Sequence, residues 1–257
     1  MFYQIRQYIK FLLKSTNQHG VHSPFVYDLV TTCFYDTSKY KDYHKIEDFK
    51  KRLKRTNHKI NVTDLGAGSQ KIKSRSRKVS DIIKHVCISN KNAKLLYRIT
   101  NYFKPNSVLE LGTSLGFATQ SLSLGNPKSE ITTIEGCPEI SKYTKTNFDL
   151  QQLNNIKLIT GNFDNEIEKL TSNKYDLIFF DGNHQKEATL NYFETLLQTA
   201  HNDSVFIFDD IYWSIGMTEA WNIIKEHPKV TATIDTFYWG IVFFRKEQKK
   251  EHFTIRV

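Results

Sequence analysis

The chain is poor in cysteine. Cys33, Cys87 and Cys137 are odd in number and widely spaced. That excludes a disulfide framework and a zinc site, and it points to a reducing cytoplasm. Long apolar runs are lacking too, and nothing approaches the ~20 residues that span a bilayer. The first ten residues, Met1-Phe-Tyr-Gln-Ile-Arg-Gln-Tyr-Ile-Lys10, are interrupted by polar side chains and lead to no small-residue cleavage site. They do not read as a secretion signal. No internal repeat or low-complexity tract is present. Acidic side chains are scarce in the first 105 residues, which hold 7 against 22 basic ones, a net of +15. Residues 106–257 hold 14 basic and 20 acidic side chains, a net of −6, which brings the whole to +9.

What is present is an alternation. Short apolar runs at Val108–Leu111, Ile131–Ile134, Ile156–Thr160, Tyr175–Phe180 and Ser204–Phe208 are separated by helical patterns at Phe117–Leu124, Pro138–Leu150, Asn165–Leu170 and Glu187–Thr199. Gly216–Glu226 is the next helix. This order predicts a parallel sheet with right-handed crossovers. Val230–Phe237 and Gly240–Arg245 differ. Only Tyr238 and Trp239 separate them, too few for a crossover, so they pair as an antiparallel hairpin.

The first run enters a glycine turn, Ser107-Val-Leu-Glu-Leu-Gly-Thr-Ser-Leu-Gly116. The second, about twenty residues on, is Thr132-Thr-Ile-Glu-Gly136. In a doubly wound sheet such a turn lets a ligand approach the backbone, and an acid at the second strand's tip takes the hydroxyls of a ribose. The arrangement resembles the S-adenosylmethionine site of class I methyltransferases. A parallel sheet closed by one antiparallel strand fits that family and argues against an ordinary NAD-binding domain. The resemblance implies a doubly wound, Rossmann-like, seven-stranded α/β sheet with one antiparallel strand. It implies that Glu110, Gly112, Thr113, Ser114 and Gly116 line the cofactor turn and that Glu135 binds the ribose. The start of the following helix aims its N–H groups at the cofactor's carboxylate. Gly161-Asn-Phe-Asp164 matches the segment bordering the adenine, with Phe163 packing on the base and Asn162 or Asp164 accepting its amino group. Ser114 departs from the common pattern, which carries glycine there. An upstream stretch, Val62-Thr-Asp-Leu-Gly-Ala-Gly-Ser69, also looks like a strand entering a glycine turn. No strand ending in an acid follows it, so it reads as a turn feeding a basic segment, Lys71–Lys78.

The fourth run ends in Asp181-Gly-Asn-His184 and the fifth in Asp209-Asp210. Adjacent strands lie about 4.8 Å apart, so these carboxylates converge. Like charges this close require a proton or a cation. A hard divalent ion held by Asp181, Asp209 and Asp210 is the simplest resolution, and Mg²⁺ its expected identity. His184 is the side chain suited to act as a base near neutrality, with Asp181 its catalytic neighbour and also part of the cofactor set. The pattern is similar to the metal-dependent O-methyltransferases that act on sugars of natural products. It is more loosely similar to catechol-type enzymes, which carry Asn in place of Asp210.

Residues 1–104 read as a helical, basic extension with a mobile loop at 66–78, and 105–257 as the methyltransferase core. Phe2, Ile5, Tyr8, Ile9 and Leu12 make one apolar helical face, expected to dock on the core rather than on a membrane. Gln18-His-Gly-Val-His-Ser-Pro-Phe25 places a helix start near Ser23-Pro24. The chain resembles a family of bacterial methyltransferases bearing the same His-Gly-Val-His-Ser-Pro-Phe run, which adds no substrate. His44–Arg55 and Asp81–Phe103 are further helices. The expected activity is O-methylation of a small hydroxylated acceptor, neutral or anionic. An RNA methyltransferase gripping through the basic half, and a non-catalytic nucleoside-binding protein, are the alternatives. Tyr212, Trp213, Tyr238 and Trp239 at one rim suggest either an acceptor wall or a seal on the core.

Overall fold

The computed structural model describes residues 2–63 and 75–257. Along the chain run α1 (Phe2–Lys14), α2 (Pro24–Asp28), α3 (Tyr43–Arg55), β1 (Lys59–Asn61), β2 (Ser76–Lys78), α4 (Val79–His85) and α5 (Asn90–Phe103). There follow β3 (Ser107–Leu111), α6 (Phe117–Gly125), β4 (Glu130–Glu135), α7 (Pro138–Leu150), β5 (Ile156–Thr160) and α8 (Phe163–Glu168). The chain closes with β6 (Leu177–Phe180), α9 (Lys186–Leu196), β7 (Val205–Asp209), α10 (Ile215–Glu226), β8 (Ala232–Asp235), β9 (Trp239–Phe243) and β10 (Glu251–Thr254).

The main sheet is mixed and mostly parallel, in the order β10-β8-β9-β7-β6-β3-β4-β5. It has eight strands where seven were expected. The addition is β10, parallel to β8 through Glu251↔Ala232 to Thr254↔Asp235. The antiparallel strand is β9, paired with both β8 and β7, as the two-residue connection requires. β6 and β7 are buried at every position. Strands covered on both faces carry continuous apolar runs rather than alternation, which is why Leu177-Ile-Phe-Phe180 and Val205-Phe-Ile-Phe208 are legible without a period.

Local chemistry sets the ends of the helices. Ser23 caps α2, its hydroxyl accepting from the Val26 N–H at 3.3 Å, with Pro24 in the first turn. Pro138 opens α7. The expected helix Asp81–Phe103 is instead two, α4 and α5. Ser89 accepts the Asn92 N–H at 3.1 Å and starts a new helix; a serine cap competes with continuation through it. α5 stops at Lys104, whose left-handed φ of 47° precedes Pro105, where the helical conformation is disfavoured.

The chain forms two compact units. One is Asp36–Glu166 and holds β1 to β5. Its core joins Ile46, Phe49 and Leu53 of α3, Leu95, Leu96 and Ile99 of α5, and Val108, Leu109 and Leu111 of β3. In this unit β1 and β2 pair antiparallel as a separate ribbon, so residues 76–78 of the anticipated loop are strand. Gly66, Gly68 and the remainder of 64–74 lie outside the described residues.

The other unit is Met1–Tyr35 with Ile167–Val257. Its core is aromatic: Phe179, Phe193, Phe206, Phe208, Trp221, Trp239 and Phe243 are all buried. Here α1 departs from expectation. Phe11, buried, packs on Phe237 at 5.6 Å between ring centres, Tyr3 Oη donates to Thr218 Oγ1 at 2.7 Å, and Gln4 donates to the Trp213 carbonyl. The face Phe2-Ile5-Ile9-Leu12 is exposed. The helix does dock on the core, but of the expected face only Tyr8 takes part, edge-on to Phe237 at 4.8 Å; Phe11, outside that face, makes the buried contact.

Candidate active site

At the end of β3 the chain turns through three left-handed residues, Gly112 (φ 106°), Ser114 (φ 47°) and Gly116 (φ 76°). Gly116 has no alternative. A Cβ there would lie 2.4 Å from Cε1 of Phe148 and 2.8 Å from Cγ2 of Thr144. Ser114 accepts the conformation at a cost of order 1 kcal/mol, offset by its neighbours. Its N–H donates to Glu135 Oε2 at 2.8 Å, and its carbonyl accepts from Thr144 Oγ1 at 2.7 Å. The other Glu135 oxygen accepts the Cys137 N–H at 2.8 Å. Glu135 therefore ties the first strand–helix turn to the second, and it is nearly buried. The N-terminus of α6, just after Gly116, has no side-chain cap, which leaves first-turn N–H groups without a side-chain acceptor there.

Glu110 lies deeper, fully buried. Thr113 Oγ1 lies 2.6 Å from Thr133 Oγ1, and Thr133 donates on to Glu110 Oε2 at 2.6 Å. Thr119 donates to the same oxygen. Among the described residues Oε1 has no hydrogen-bond partner. Burial pushes this carboxyl from 4.5 up to about 7, against the lowering effect of the two threonines. Thr119 of α6 and Thr133 of β4 are supports that sequence reasoning missed; a threonine in the largely apolar strand β4 is the signal for the second.

A group whose pKa is raised on folding stabilises the fold fully below its ordinary value, and that contribution is lost as pH rises through the folded one. Between pH 4.5 and 8 the Glu110 contribution is expected to fall by about 3 kcal/mol. Glu110→Gln removes it. The unfolding free energy of the wild type minus that of the variant should drop by this amount from pH 4.5 to pH 8, read from urea titrations at both ends. A constant difference would mean that Glu110 does not titrate in this range.

Beyond β5, Gly161 N–H donates to the Glu135 carbonyl at 3.0 Å. Asn162 Oδ1 accepts the Asp164 N–H at 3.1 Å and starts α8 at Phe163. Asn162 and Asp164 are exposed and Phe163 is half-buried. β5 pairs with β4 through Glu135↔Thr160, so this segment begins beside the Glu135 tip.

The second group belongs to the other unit. β6 and β7 run parallel in the register Phe180↔Phe208, which brings the next residues, Asp181 and Asp209, to one level. His184 Nε2 lies 3.9 Å from Asp181 Oδ1. One ligand atom each from Asp181, His184 and Asp209 falls within 4.8 Å of the others. The anticipated trio of ligands had Asp210 in place of His184. Asp210, at a left-handed φ of 54°, is not in this cluster among the described residues, but it is near enough to His184 to act on its charge.

Asp209 accepts from Trp239 Nε1 at 2.6 Å and shares a hydrogen bond with Asp181. Between two carboxyls such a bond needs a proton on one of them. Burial, reinforced by the Asp210 charge, pushes Asp209 up to about 8. Burial also raises Asp210, against the pull of His184, and lowers His184, against the pull of Asp210. Burial thereby favours the neutral imidazole, and the Asp210 charge partly offsets it.

The rim aromatics divide. Trp239 is buried and meets Phe179 edge-on at 5.8 Å. Tyr212 stacks on Phe237 and donates to Asp235 Oδ2 at 2.5 Å. Trp213 is half-buried and Tyr238 exposed. A four-ring acceptor wall is not formed, because Trp239 is committed to the core and to Asp209.

A family profile described as a methyltransferase domain matches residues 109–211. The chain is 23% identical over 162 residues to a catechol O-methyltransferase of Mycobacterium tuberculosis, covering 58% of this chain and 73% of that one. Its fold is similar to the SAH-bound methyltransferase PaMTH1 of Podospora anserina, at 15% identity and a TM-score of 0.62 over 88% of this chain and 97% of that one. It is similar also to an O-methyltransferase from Bacillus cereus in complex with SAH, at 16% identity and a TM-score of 0.56 over 83% and 95%.

Proposed function

We infer that this chain, a class I S-adenosylmethionine-dependent methyltransferase, methylates an oxygen of a small hydroxylated acceptor with the help of a divalent cation. The observation carrying the chemistry is the convergence of Asp181, His184 and Asp209 at the tips of two adjacent parallel strands. Binding sites in open α/β sheets lie at that end. The acceptor class is suggested by the catechol O-methyltransferase relative.

The turn from Gly112 to Gly116 fits the cofactor. The α6 start is uncapped, and the buried Glu110 Oε1 has no hydrogen-bond partner among the described residues. Glu135 takes the ribose hydroxyls, and Asn162, Phe163 and Asp164 border the base. Bound S-adenosylmethionine supplies a methyl group on a sulfonium. Asp181 and Asp209, with Asp210 beside them, fit a hard cation of the Mg²⁺ type, because a half-buried and a buried carboxyl that share a proton accept a positive charge readily. Such an ion lowers the pKa of an acceptor hydroxyl. His184, neutral through burial, takes that proton at Nε2.

Two measurements test this. Glu135→Ala is expected to weaken S-adenosylhomocysteine binding at least tenfold in calorimetry, because each lost charge-assisted hydrogen bond is worth about 1.5–3 kcal/mol. Transfer of methyl to catechol with Mg²⁺ should disappear in excess EDTA while S-adenosylhomocysteine still binds. Unchanged affinity in Glu135→Ala would remove the cofactor assignment, and full turnover in chelator would remove the metal.

A further inference from the structure

Helix α1 carries an apolar face that stays largely exposed among the described residues. Phe11 faces inward, and Phe2 lies about two and a half turns away, on the opposite side of the helix. Phe2 is 86% exposed, Ile5 51%, Ile9 53%, Leu12 37% and Leu13 84%. These five side chains form one outward stripe along the helix. Isolated exposed apolar residues are ordinary, but a contiguous stripe marks a contact surface.

The charge beside the stripe identifies the partner. Arg6 and Lys10, one turn apart, lie along one flank, whereas Lys14 sits near enough to Asp235, Lys225 and His252 to act on their charges, and the helix contains no acidic residue. A second copy of the helix laid on the first would gather the four cations Arg6 and Lys10 of both copies, with no acid on either helix to pair them. Against an anionic surface the same pair is favourable. Long basic side chains at the border of an apolar face extend to the headgroups while their stems lie in the apolar layer. At ~1.5 Å per residue the helix is about 20 Å long, too short to cross a hydrocarbon core of about 30 Å, and no described helix is long and apolar enough to do so.

We propose that α1 lies in the plane of an anionic lipid bilayer, with Phe2, Ile5, Ile9, Leu12 and Leu13 inserted at the headgroup boundary and Arg6 and Lys10 against the headgroups. The inner side of the helix stays fixed to the protein through Phe11, Tyr3 and Gln4, so no unfolding is needed for binding. The proposal rests on the helix alone and is independent of the methyl-transfer reading.

Co-sedimentation of the full chain with phosphatidylcholine–phosphatidylglycerol vesicles and with pure phosphatidylcholine vesicles tests it. Binding should be at least about tenfold stronger to the anionic vesicles and should weaken as salt shortens the screening length. The triple variant Ile5→Ser/Ile9→Ser/Leu13→Ser should lose at least about tenfold of that binding, and Arg6→Glu/Lys10→Glu should lose it as well. Both leave the packed side of the helix intact, which melting temperatures verify. If the serine variant binds as the wild type does, the chain's general positive charge is responsible and the proposal fails. Absence of vesicle binding, with a dimer in sedimentation that the serine variant dissociates, would assign the stripe to a second copy instead.

Discussion

His184→Gln is expected to lower kcat at least 100-fold, the lower range for loss of a positioned general base, while S-adenosylhomocysteine affinity stays within a few-fold of wild type. Burial keeps the ring neutral, the form in which a base must start, and the nearby Asp210 charge works against burial by favouring the protonated ring. The variant also separates two roles for the ring. If His184 is the base, Mn²⁺ affinity measured by calorimetry is retained and the alkaline limb of the kcat profile persists. If Mn²⁺ affinity falls in step with kcat, His184 is a third ligand beside Asp181 and Asp209, as their mutual proximity allows.

Trp239→Ala should destabilise the protein by about 3–5 kcal/mol, the usual cost of emptying a large aromatic site in a core. Trp239 is 1% exposed and packs on Phe179. It also provides the indole N–H that Asp209 accepts, so the variant leaves a buried carboxyl short of a donor. Chemical denaturation measures the loss. Trp239→Phe restores much of the volume but not the N–H. It should recover most of the stability while metal affinity remains altered. A normally stable Trp239→Ala with a raised acceptor KM would return the indole to the acceptor pocket.

Much of this architecture was legible because burial restricts residue choice at the sheet centre. Continuous apolar runs ending in Asp181 and Asp209 have few other readings, and the three-residue step to His184 keeps it near the strand tip. The two-residue connection before β9 left no alternative to an antiparallel pair. Other features were hidden for physical reasons. An amphipathic pattern in α1 reveals an apolar face but not what covers it, and Phe11, outside that face, makes the buried contact. The split between α4 and α5 turns on one serine hydroxyl. Trp239 looked like a rim residue because it adjoins a turn, yet strand pairing with Asp209 carries its ring inward. β10 escaped notice because Glu251 and His252 are exposed and only Phe253 of the strand is buried.

That last strand has a consequence for solubility. A sheet edge presents unpaired N–H and C=O groups to any extended chain that drifts past, and short, charged strands are poor templates for such growth. β10 has four residues, two of them exposed and polar, and follows Lys249 and Lys250. Directly inside it lies β8, Ala232–Asp235, buried along its whole length. β10 is therefore a guard strand. It occupies the hydrogen-bonding row of a β-prone neighbour and presents in its place an edge that other molecules of the chain cannot readily extend into a fibril.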